Sequence, residues 1–202
     1  PIEVKYHGEV NLGYAIGGHM KGENGLKAKS GLGRVFVETV HGVTISKYAF
    51  VGGGVGFQFY HGKMKEMYNG EKDDAKWNTL TIPLFVNLRG MYPVNDDLKP
   101  FINLALGGSI VACSGFNQKE GGNNGYGDYY EDYYGSSEKT KLHGGFYCDF
   151  GAGVQYKRWN FSIGLQHQDF VAKYTVKDNY VNETEKSKFG TNSFYVKLGV
   201  AF

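Results

Sequence analysis

The stretch Ser193-Phe-Tyr-Val-Lys-Leu-Gly-Val-Ala-Phe202 alternates between apolar residues and residues that are small or polar. One face of an extended strand would carry Phe194, Val196, Leu198, Val200 and Phe202, and the other face would carry Ser193, Tyr195, Lys197, Gly199 and Ala201. Period-two alternation of this kind suits a strand with lipid tails on one side and a narrow lumen on the other. The stretch therefore predicts a membrane-spanning β-strand whose last aromatic ring lies at the membrane interface.

The composition agrees with a β-protein. The chain has 202 residues, which we interpret as one domain over 1–202, and contains 31 Gly, 16 Tyr and 14 Phe. Aromatic residues favour strands, and Gly is unfavourable inside helices. The mean hydropathy is only −0.40, but a barrel can have a low value because only alternate residues face lipid. The formal net charge of +2 gives no support to nucleic acid as a partner.

Eight segments alternate well enough to be counted as strands: 4–16, 31–41, 48–60, 80–89, 102–110, 146–156, 161–166 and 193–202. Long polar connections at 17–30, 61–77, 113–141 and 172–192 alternate with short ones at 42–47, 93–99 and 157–159. This pattern predicts an all-β fold, an eight-stranded antiparallel up-and-down transmembrane β-barrel. In such a barrel the long loops are extracellular and both termini are periplasmic.

The alternative is a soluble eight-stranded barrel of the lipocalin kind. Such a barrel has large apolar residues inside and Lys, Glu and Thr outside. In this chain the less apolar face is mostly Gly, Ala, Ser, Asn and Gln. That face is a poor surface for water but a good filling for a narrow lumen, so the membrane barrel is favoured.

Three internal segments and the final residue carry a resemblance to a known family. The segments are Tyr48-Ala-Phe-Val-Gly-Gly-Gly-Val-Gly-Phe57, Leu80-Thr-Ile-Pro-Leu-Phe-Val-Asn-Leu88 and Lys99-Pro-Phe-Ile-Asn-Leu-Ala-Leu-Gly-Gly108, together with Phe202. With them the chain resembles the small outer-membrane β-barrel proteins of Bacteroidetes, which are similar in architecture to the OmpA and OmpX transmembrane barrels. The resemblance implies the outer membrane of a Gram-negative bacterium, but it implies no reaction.

The same resemblance implies assembly by the barrel-insertion machinery, which reads the last strand. The residues that would form this assembly signal are Phe194, Val196, Leu198, Gly199, Val200 and Phe202. The barrel-insertion machinery is therefore an expected partner during insertion, and outer-membrane lipid, including lipopolysaccharide, is an expected partner afterwards.

Charged residues on the inward faces form the first candidate site. They are Lys5, Glu9, Arg34, Glu38, Arg89, Asp149 and Lys197. We expect Glu9 and Lys197 to form a pair, because strands one and eight must be neighbours and the two residues lie at comparable depth. Such a set could be an ion pathway or gate, but a structural network that neutralises charge inside the lumen is the favoured interpretation.

Other motifs give little support to chemistry. The glycines of Gly52-Gly-Gly-Val-Gly56 lie within a strand, so they are interpreted as space for a ring such as Phe85, Tyr147 or Tyr195 rather than as a phosphate loop. His167 is the best single candidate for a lipid A-modifying enzyme, but it falls on the lipid-facing side and has no serine partner. We expect no catalytic residue, no cofactor and no metal site.

The third long loop is the most distinctive exposed segment. Gly125-Tyr-Gly-Asp-Tyr-Tyr-Glu-Asp-Tyr-Tyr-Gly135 contains five tyrosines, namely Tyr126, Tyr129, Tyr130, Tyr133 and Tyr134. Tyrosine offers a large, rigid contact area and is favoured at recognition surfaces. The alternative is a hairpin that extends strands five and six, with the tyrosines packed on one another; the two interpretations are compatible.

These observations predict a non-enzymatic barrel. It would act as an accessory or structural subunit of a membrane-protein complex, or as a surface-recognition protein for another outer-membrane protein or an extracellular glycan or protein. The alternatives are a narrow pore and a lipid A-modifying barrel enzyme. The alternation also places Cys148 on the lipid face and Cys113 on the lumen side, so no disulfide between them is expected.

Overall fold

The computed structural model describes residues 2–17, 19–22, 27–29, 32–68, 71–114, 137–177 and 182–202. Ten strands are found within these residues: β1 (Val4–Ile16), β2 (His19–Gly22), β3 (Lys27–Lys29), β4 (Gly33–Ile45), β5 (Ala49–Tyr68), β6 (Glu71–Met91), β7 (Leu98–Ser114), β8 (Ser137–Tyr156), β9 (Trp159–Lys177) and β10 (Asn182–Ala201). In the described ranges no helix is long and apolar enough to cross a membrane.

Eight of these strands form a closed barrel. Their order is β1-β4-β5-β6-β7-β8-β9-β10, and β10 pairs antiparallel with β1 to close the sheet. The closing register joins Ile16 to Phe194 and Glu9 to Ala201. The two short strands β2 and β3 form a hairpin that pairs with β10 at Phe189 and Gly190. The closed eight-stranded antiparallel barrel confirms the predicted fold class.

The outer wall of the barrel is apolar. Each of the eight strands exposes large apolar side chains, among them Leu12, Val35, Phe57, Leu84, Ile102, Phe150, Leu165 and Phe194. The interior holds buried polar and charged side chains such as Glu9, Arg34 and Gln168. Since a protein in water buries its apolar side chains, this inverted distribution indicates a lipid environment. The chain is a transmembrane β-barrel of the outer-membrane type.

The two ends of the barrel differ in the length of their connections. At one end, which we call the turn end, lie the short connections 46–48, 92–97 and 157–158 and the described residues nearest both termini. At the other end, which we call the hairpin end, β5 and β6 pair as far as Tyr68 and Glu71. There β9 and β10 pair as far as Lys177 and Asn182. The tight turns at the turn end place Ser46, Lys47 and Lys157 in the left-handed region, with φ of 49°, 65° and 56°.

The connections at the hairpin end differ from the sequence prediction. The sequence predicts loops over 61–77 and 172–192, but much of both ranges is paired strand, because β5 and β9 continue past the apolar wall and β6 and β10 begin before it. Beyond the membrane both faces of a strand meet water, so the alternation on which the prediction relied is lost. The sheet therefore continues past the apolar wall as paired hairpins.

The predicted lumen side for Cys113 is wrong. A register shift between β6 and β7 pairs Leu80 with Cys113 but Thr81 with Val111, so one residue of β7 is unpaired. This bulge reverses the facing of the residues that follow it. Cys113 consequently shares the outer face with Leu80 and is exposed, and both Cys113 and Cys148 are free thiols.

Glycine and aromatic residues fit together inside the barrel. A Cβ atom on Gly54 would overlap the ring of Phe85, and one on Gly151 would overlap the hydroxyl end of Tyr195. The Phe85 ring thus occupies the space that Gly54 leaves, as predicted from the sequence, whereas the space for Tyr195 comes from Gly151, outside the predicted segment. Because aromatic rings fill the space beside the glycines, the lumen is a packed core.

Candidate functional site: the charged lumen

Six charged side chains are buried inside the barrel. The carboxylates are Glu9, Glu38 and Asp149, and the cations are Arg34, Arg89 and Lys197. The described lumen therefore contains three negative and three positive groups. An unpaired charge in a region surrounded by lipid is costly, so this balance is what a stable buried network requires.

Glu9 and Arg89 form the cluster nearest the turn end. Arg89 donates from Nη1 to Oε2 of Glu9 at 2.9 Å and from Nη2 to Oε1 at 2.6 Å. Asn11 and Asn160 donate to the same carboxylate at 2.9 and 3.0 Å. The guanidinium group of Arg89 also lies 4.4 Å from the centroid of the Phe101 ring. This bidentate pair joins β1 to β6 across the lumen.

Lys197 is at the centre of the middle cluster. Its Nζ donates to Oε1 of Glu38 at 2.7 Å and to Oδ2 of Asp149 at 3.3 Å. Tyr195 donates its hydroxyl to Oδ1 of Asp149 at 2.9 Å. Asn11 donates to Glu38 at 3.2 Å, which connects the middle cluster to the one around Glu9. One ammonium group on β10 thus binds carboxylates from β4 and β8.

Arg34 organises a cluster of neutral partners nearer the hairpin end. Its Nη1 donates to the hydroxyl of Tyr60 at 2.6 Å, and its Nη2 donates to Oε1 of Gln166. Gln166 in turn donates from Nε2 to the hydroxyl of Tyr147, and Tyr60 donates to Oε1 of Gln168 at 2.7 Å. This cluster joins β4, β5, β8 and β9.

An apolar layer lies above the Arg34 cluster. Tyr60, Phe170 and Leu32 are buried against one another, and Phe189 packs on them from β10. The rings of Tyr60 and Phe170 meet edge to face at 5.5 Å between centroids, and those of Phe170 and Phe189 stack at 5.4 Å. The lumen thus contains two charged layers, the Arg34 layer with neutral partners, and this apolar layer.

Two sequence predictions about this site are wrong. Glu9 does not pair with Lys197, because the closing register places Gly13 opposite Lys197 and Ala201 opposite Glu9. Lys197 therefore lies four residues further toward the hairpin end than Glu9, an offset that comes from the stagger of strands in a closed barrel. The two residues belong to neighbouring clusters of the same network instead.

Lys5 is the second correction, since it lies outside the lumen network. Its side chain is 70% exposed, and Nζ is 2.6 Å from Oε1 of Glu3 at the turn end. The hydrogen bond from Lys5 and the charge of Lys5 lower the pKa of the Glu3 carboxyl. Lys5 has the inward alternation, but β10 ends at Ala201, opposite Glu9, so no residue of β10 lies beside Lys5 and its side chain is open to water.

The uncharged members of the network are not among the residues predicted from the sequence. Tyr60, Gln166 and Gln168 are buried, and each is hydrogen-bonded in the Arg34 cluster. Asn11 and Asn160 likewise donate hydrogen bonds to the carboxylate of Glu9. All of them occupy inward positions of their strands, so the alternation is the sequence signal that identifies buried amides and phenols as well as charges.

The remaining predicted residues have different outcomes. Tyr126, Tyr129, Tyr130, Tyr133 and Tyr134 lie outside the described residues. In the last strand Phe194, Val196, Leu198, Val200 and Phe202 are exposed on the outer wall, whereas Gly199 faces Asn11 and Asn160 inside. Whether these residues form an assembly signal remains a prediction.

His167 lies on the outer side of β9 near the hairpin end. Its Nδ1 is 2.7 Å from Oδ1 of Asn192, and its Nε2 is 3.0 Å from Oδ1 of Asp169. No hydroxyl nucleophile is among these contacts. In the described part of the chain no group of three or more His, Cys, Asp or Glu residues is arranged to hold a metal ion.

No protein-family model and no curated protein matches the chain. Among solved structures it is similar to the outer membrane protein OprG from Pseudomonas aeruginosa, with 12% identity and a TM-score of 0.49 over 98% of this chain and 95% of that chain. It is also similar to the outer membrane protein AlkL, solved in DMPC lipid bilayers, with 13% identity and a TM-score of 0.48 over 98% and 89% of the two chains.

A third similar structure is Neisserial surface protein A, with 12% identity and a TM-score of 0.42 over 99% of both chains. At these identities and TM-scores the three likenesses carry no function over to this chain. The fold and the membrane assignment therefore depend on the closed barrel, the apolar wall and the polar lumen described above.

Proposed function

We propose that this protein is a non-enzymatic outer-membrane barrel that acts through its hairpin end. It would serve as an accessory or structural subunit of a membrane-protein complex, or as a surface-recognition protein. The proposal includes membership in the small-barrel family of Bacteroidetes that the chain resembles. The barrel itself would be an anchor, and the binding work would be done by the segments beyond the apolar wall.

The observation that carries this proposal is the filled, charge-balanced lumen. Five of the six buried charges are paired with each other, as Lys197 is with Glu38 and Arg89 is with Glu9, and Arg34 is hydrogen-bonded to neutral partners. A lumen that is filled by side chains bound to one another favours a structural role for the interior. Function is then expected on the outside of the barrel or beyond its ends.

The orientation is part of the proposal. Single-chain outer-membrane barrels have short periplasmic turns and longer extracellular loops. By this rule the turn end, with both termini, faces the periplasm, and the hairpin end faces the outside of the cell. The paired extensions of β5 with β6 and of β8, β9 and β10 would then be presented to the surroundings.

The proposed contact residues are the five tyrosines between β7 and β8, namely Tyr126, Tyr129, Tyr130, Tyr133 and Tyr134. The strands that flank this segment end at Ser114 and begin again at Ser137, both at the hairpin end. The segment is therefore anchored at the extracellular end in the proposed orientation. Its partner would be another outer-membrane protein or an extracellular glycan or protein.

The test is co-purification from native membranes in a mild detergent with a tag on the protein. We expect a stoichiometric partner with the wild type, and its loss when all five tyrosines are replaced by serine. A variant with five Tyr→Phe replacements is the matched control, since it keeps the ring area and should retain the partner. Recovery of the partner by the Tyr→Ser variant, with the barrel folded, would refute the proposed contact.

A narrow pore is the second candidate function. It is favoured by buried polar atoms that have no hydrogen-bond partner among the described residues, including Gln58 Nε2, Thr81 Oγ1 and Asn87 Oδ1. Buried polar groups of this kind are commonly satisfied by water. Conductance measurements distinguish a pore from an anchor.

A lipid A-modifying enzyme is the third candidate and depends on His167. The imidazole of this residue is held by Asn192 and Asp169 on the lipid-facing side of the barrel. We propose that it is not catalytic, since catalysis of acyl transfer or hydrolysis would require a nucleophile or an activated water beside it. Mass spectra of lipid A from cells with and without the protein test this, and a difference that depends on His167 would contradict the non-enzymatic role.

A further inference from the structure

Lysines from three neighbouring strands meet on the outer face of the hairpin end. The register places Lys141 of β8 opposite Lys173 of β9, and Lys173 opposite Lys186 of β10. Lys188 follows two positions along β10 and therefore has the same facing. We call Lys141, Lys173, Lys186 and Lys188 the lysine row.

The facing of the lysine row follows from the alternation of β9. Gln168 and Phe170 are buried in the barrel, whereas Leu165 is exposed on the outer wall. Lys173 is separated from Leu165 by an even number of positions, so it shares the outer face. Cross-strand partners point to the same side of a sheet, which places Lys141 and Lys186 there as well. Both of these side chains are exposed.

The nearest described carboxylate on the same face is Asp169, which lies two positions from the cross-strand partner of Lys188 and contacts His167. Like charges directly opposite each other on neighbouring strands are destabilising. None of the four lysines forms an ion pair with a described carboxylate. Glu183 and Glu185 occupy the alternate positions of β10 and so belong to the opposite face. An external anion would relieve the repulsion between these ammonium groups.

The height of the lysine row above the apolar wall limits what this anion can be. Lys173 lies eight positions beyond Leu165 on β9, and Lys141 lies five positions beyond the exposed Phe146 on β8, which corresponds to heights of about 20 Å and about 13 Å at about 3.3 Å per residue and a tilt of about 40°. The headgroup layer of a bilayer extends only about 5–7 Å beyond the hydrocarbon on each side. A phospholipid headgroup is therefore too short, whereas the sugars of a glycolipid extend further.

We infer that the lysine row binds phosphate groups on the core sugars of an outer-leaflet glycolipid. The inference rests on the orientation in the proposed function, which places the hairpin end outside the cell. Several ammonium groups on adjacent strands can each form charge-assisted hydrogen bonds with phosphate oxygens. The apolar wall would contact the acyl chains of the same lipid, so that one side of the barrel, from β8 to β10, binds both parts of the molecule.

The test uses the full chain, folded in a nonionic detergent, and isothermal titration calorimetry. The probe is the deacylated, phosphorylated core oligosaccharide of a rough lipopolysaccharide, which is soluble and cannot bind through acyl chains. The variant carries Lys141→Gln, Lys173→Gln and Lys186→Gln. The matched control carries Lys47→Gln, Lys99→Gln and Lys157→Gln, which removes the same charge at the turn end. Anomalous gel migration without boiling verifies that each protein is folded.

We expect the lysine-row variant to bind the oligosaccharide at least about tenfold more weakly than the wild type, a loss of about 1.4 kcal/mol. The control should bind like the wild type, and the dephosphorylated oligosaccharide should bind to neither. The inference is overturned by equal binding of wild type and lysine-row variant, by equal weakening in the control, or by no wild-type binding. This readout involves no protein partner, so its failure is separate from a failure of the co-purification test.

Discussion

The Nζ atom of Lys197 lies 2.7 Å from Oε1 of Glu38 and shares its positive charge with Asp149 at 3.3 Å. All three side chains are buried inside the barrel. The sequence places these residues far apart, but closure of the sheet brings β4, β8 and β10 around one point. Removal of the ammonium group would leave two carboxylates facing each other in a closed space.

Lys197→Met should therefore destabilise the barrel by about 3–5 kcal/mol, because a buried charge loses its partner. The measurement is the free energy of unfolding in urea for protein reconstituted in lipid vesicles. The matched variant Lys197→Met with Glu38→Gln restores the balance of charge, and it should be more stable than the single variant. If the double variant were less stable than the single variant, the charge-balance explanation would be wrong.

Two adjacent glycines give a test of the packing inside the lumen. A Cβ atom on Gly54 would overlap the Phe85 ring, whereas the nearest atom to a Cβ on Gly53 is the Phe85 carbonyl oxygen at 3.7 Å. Gly54→Ala should destabilise the barrel by about 1–3 kcal/mol as an overpacked site. Gly53→Ala should change the stability by less than about 0.5 kcal/mol. Similar unfolding free energies for the two variants would show that the lumen is not packed as described.

Phe202 closes the barrel against Gly8. The N–H of Gly8 donates to the carbonyl of Phe202 at 3.1 Å, and the N–H of Phe202 donates to the carbonyl of Gly8 at 2.8 Å. The Phe202 ring occupies the place that a side chain on Gly8 would take. Phe202→Ala should lower the folded fraction in the outer membrane, measured as the heat-modifiable band of unboiled samples. Phe194→Ala, on the same face of β10, is the control, and an equal loss in both variants would remove any special role for Phe202.

The proposed orientation can be tested by labelling of single cysteines in a background with Cys113→Ala and Cys148→Ala. Ser187 is exposed at the hairpin end, and Asp96 is exposed at the turn end. In intact cells a membrane-impermeant maleimide should label Ser187→Cys and leave Asp96→Cys unlabelled. In lysed cells both should react. Labelling of Asp96→Cys alone in intact cells would mean that the barrel has the opposite orientation.

The membrane-spanning part of the fold could be predicted from the sequence. The predicted 4–16 coincides with β1, and the alternation of 193–202 identified the wall and lumen faces of β10. Six of the seven predicted lumen charges are buried, since lipid on one side and a packed core on the other enforce period two. The extensions of β5, β6 and β8 to β10 were not predicted because neither face of those segments meets lipid.

The partners inside the lumen could be predicted only in part. The inward side of Glu9 and Lys197 follows from alternation, but their partners depend on the stagger between strands, which no local pattern reports. The prediction that Lys5 lies in the lumen network is wrong for a different reason, since alternation gives the facing of a residue and not the depth at which the neighbouring strand ends. The bulge that turns Cys113 outward also has no sequence signal of its own.

The most direct test of the central claim, a sealed barrel that acts through its hairpin end, is the conductance of purified protein in planar lipid bilayers. A porin reconstituted in the same way serves as the positive control. We expect no steady conductance from the wild type, because the Arg34 cluster and the layer of Tyr60 and Phe170 fill the lumen near the hairpin end. A reproducible, ohmic conductance from folded wild-type protein would contradict this account and establish the pore instead.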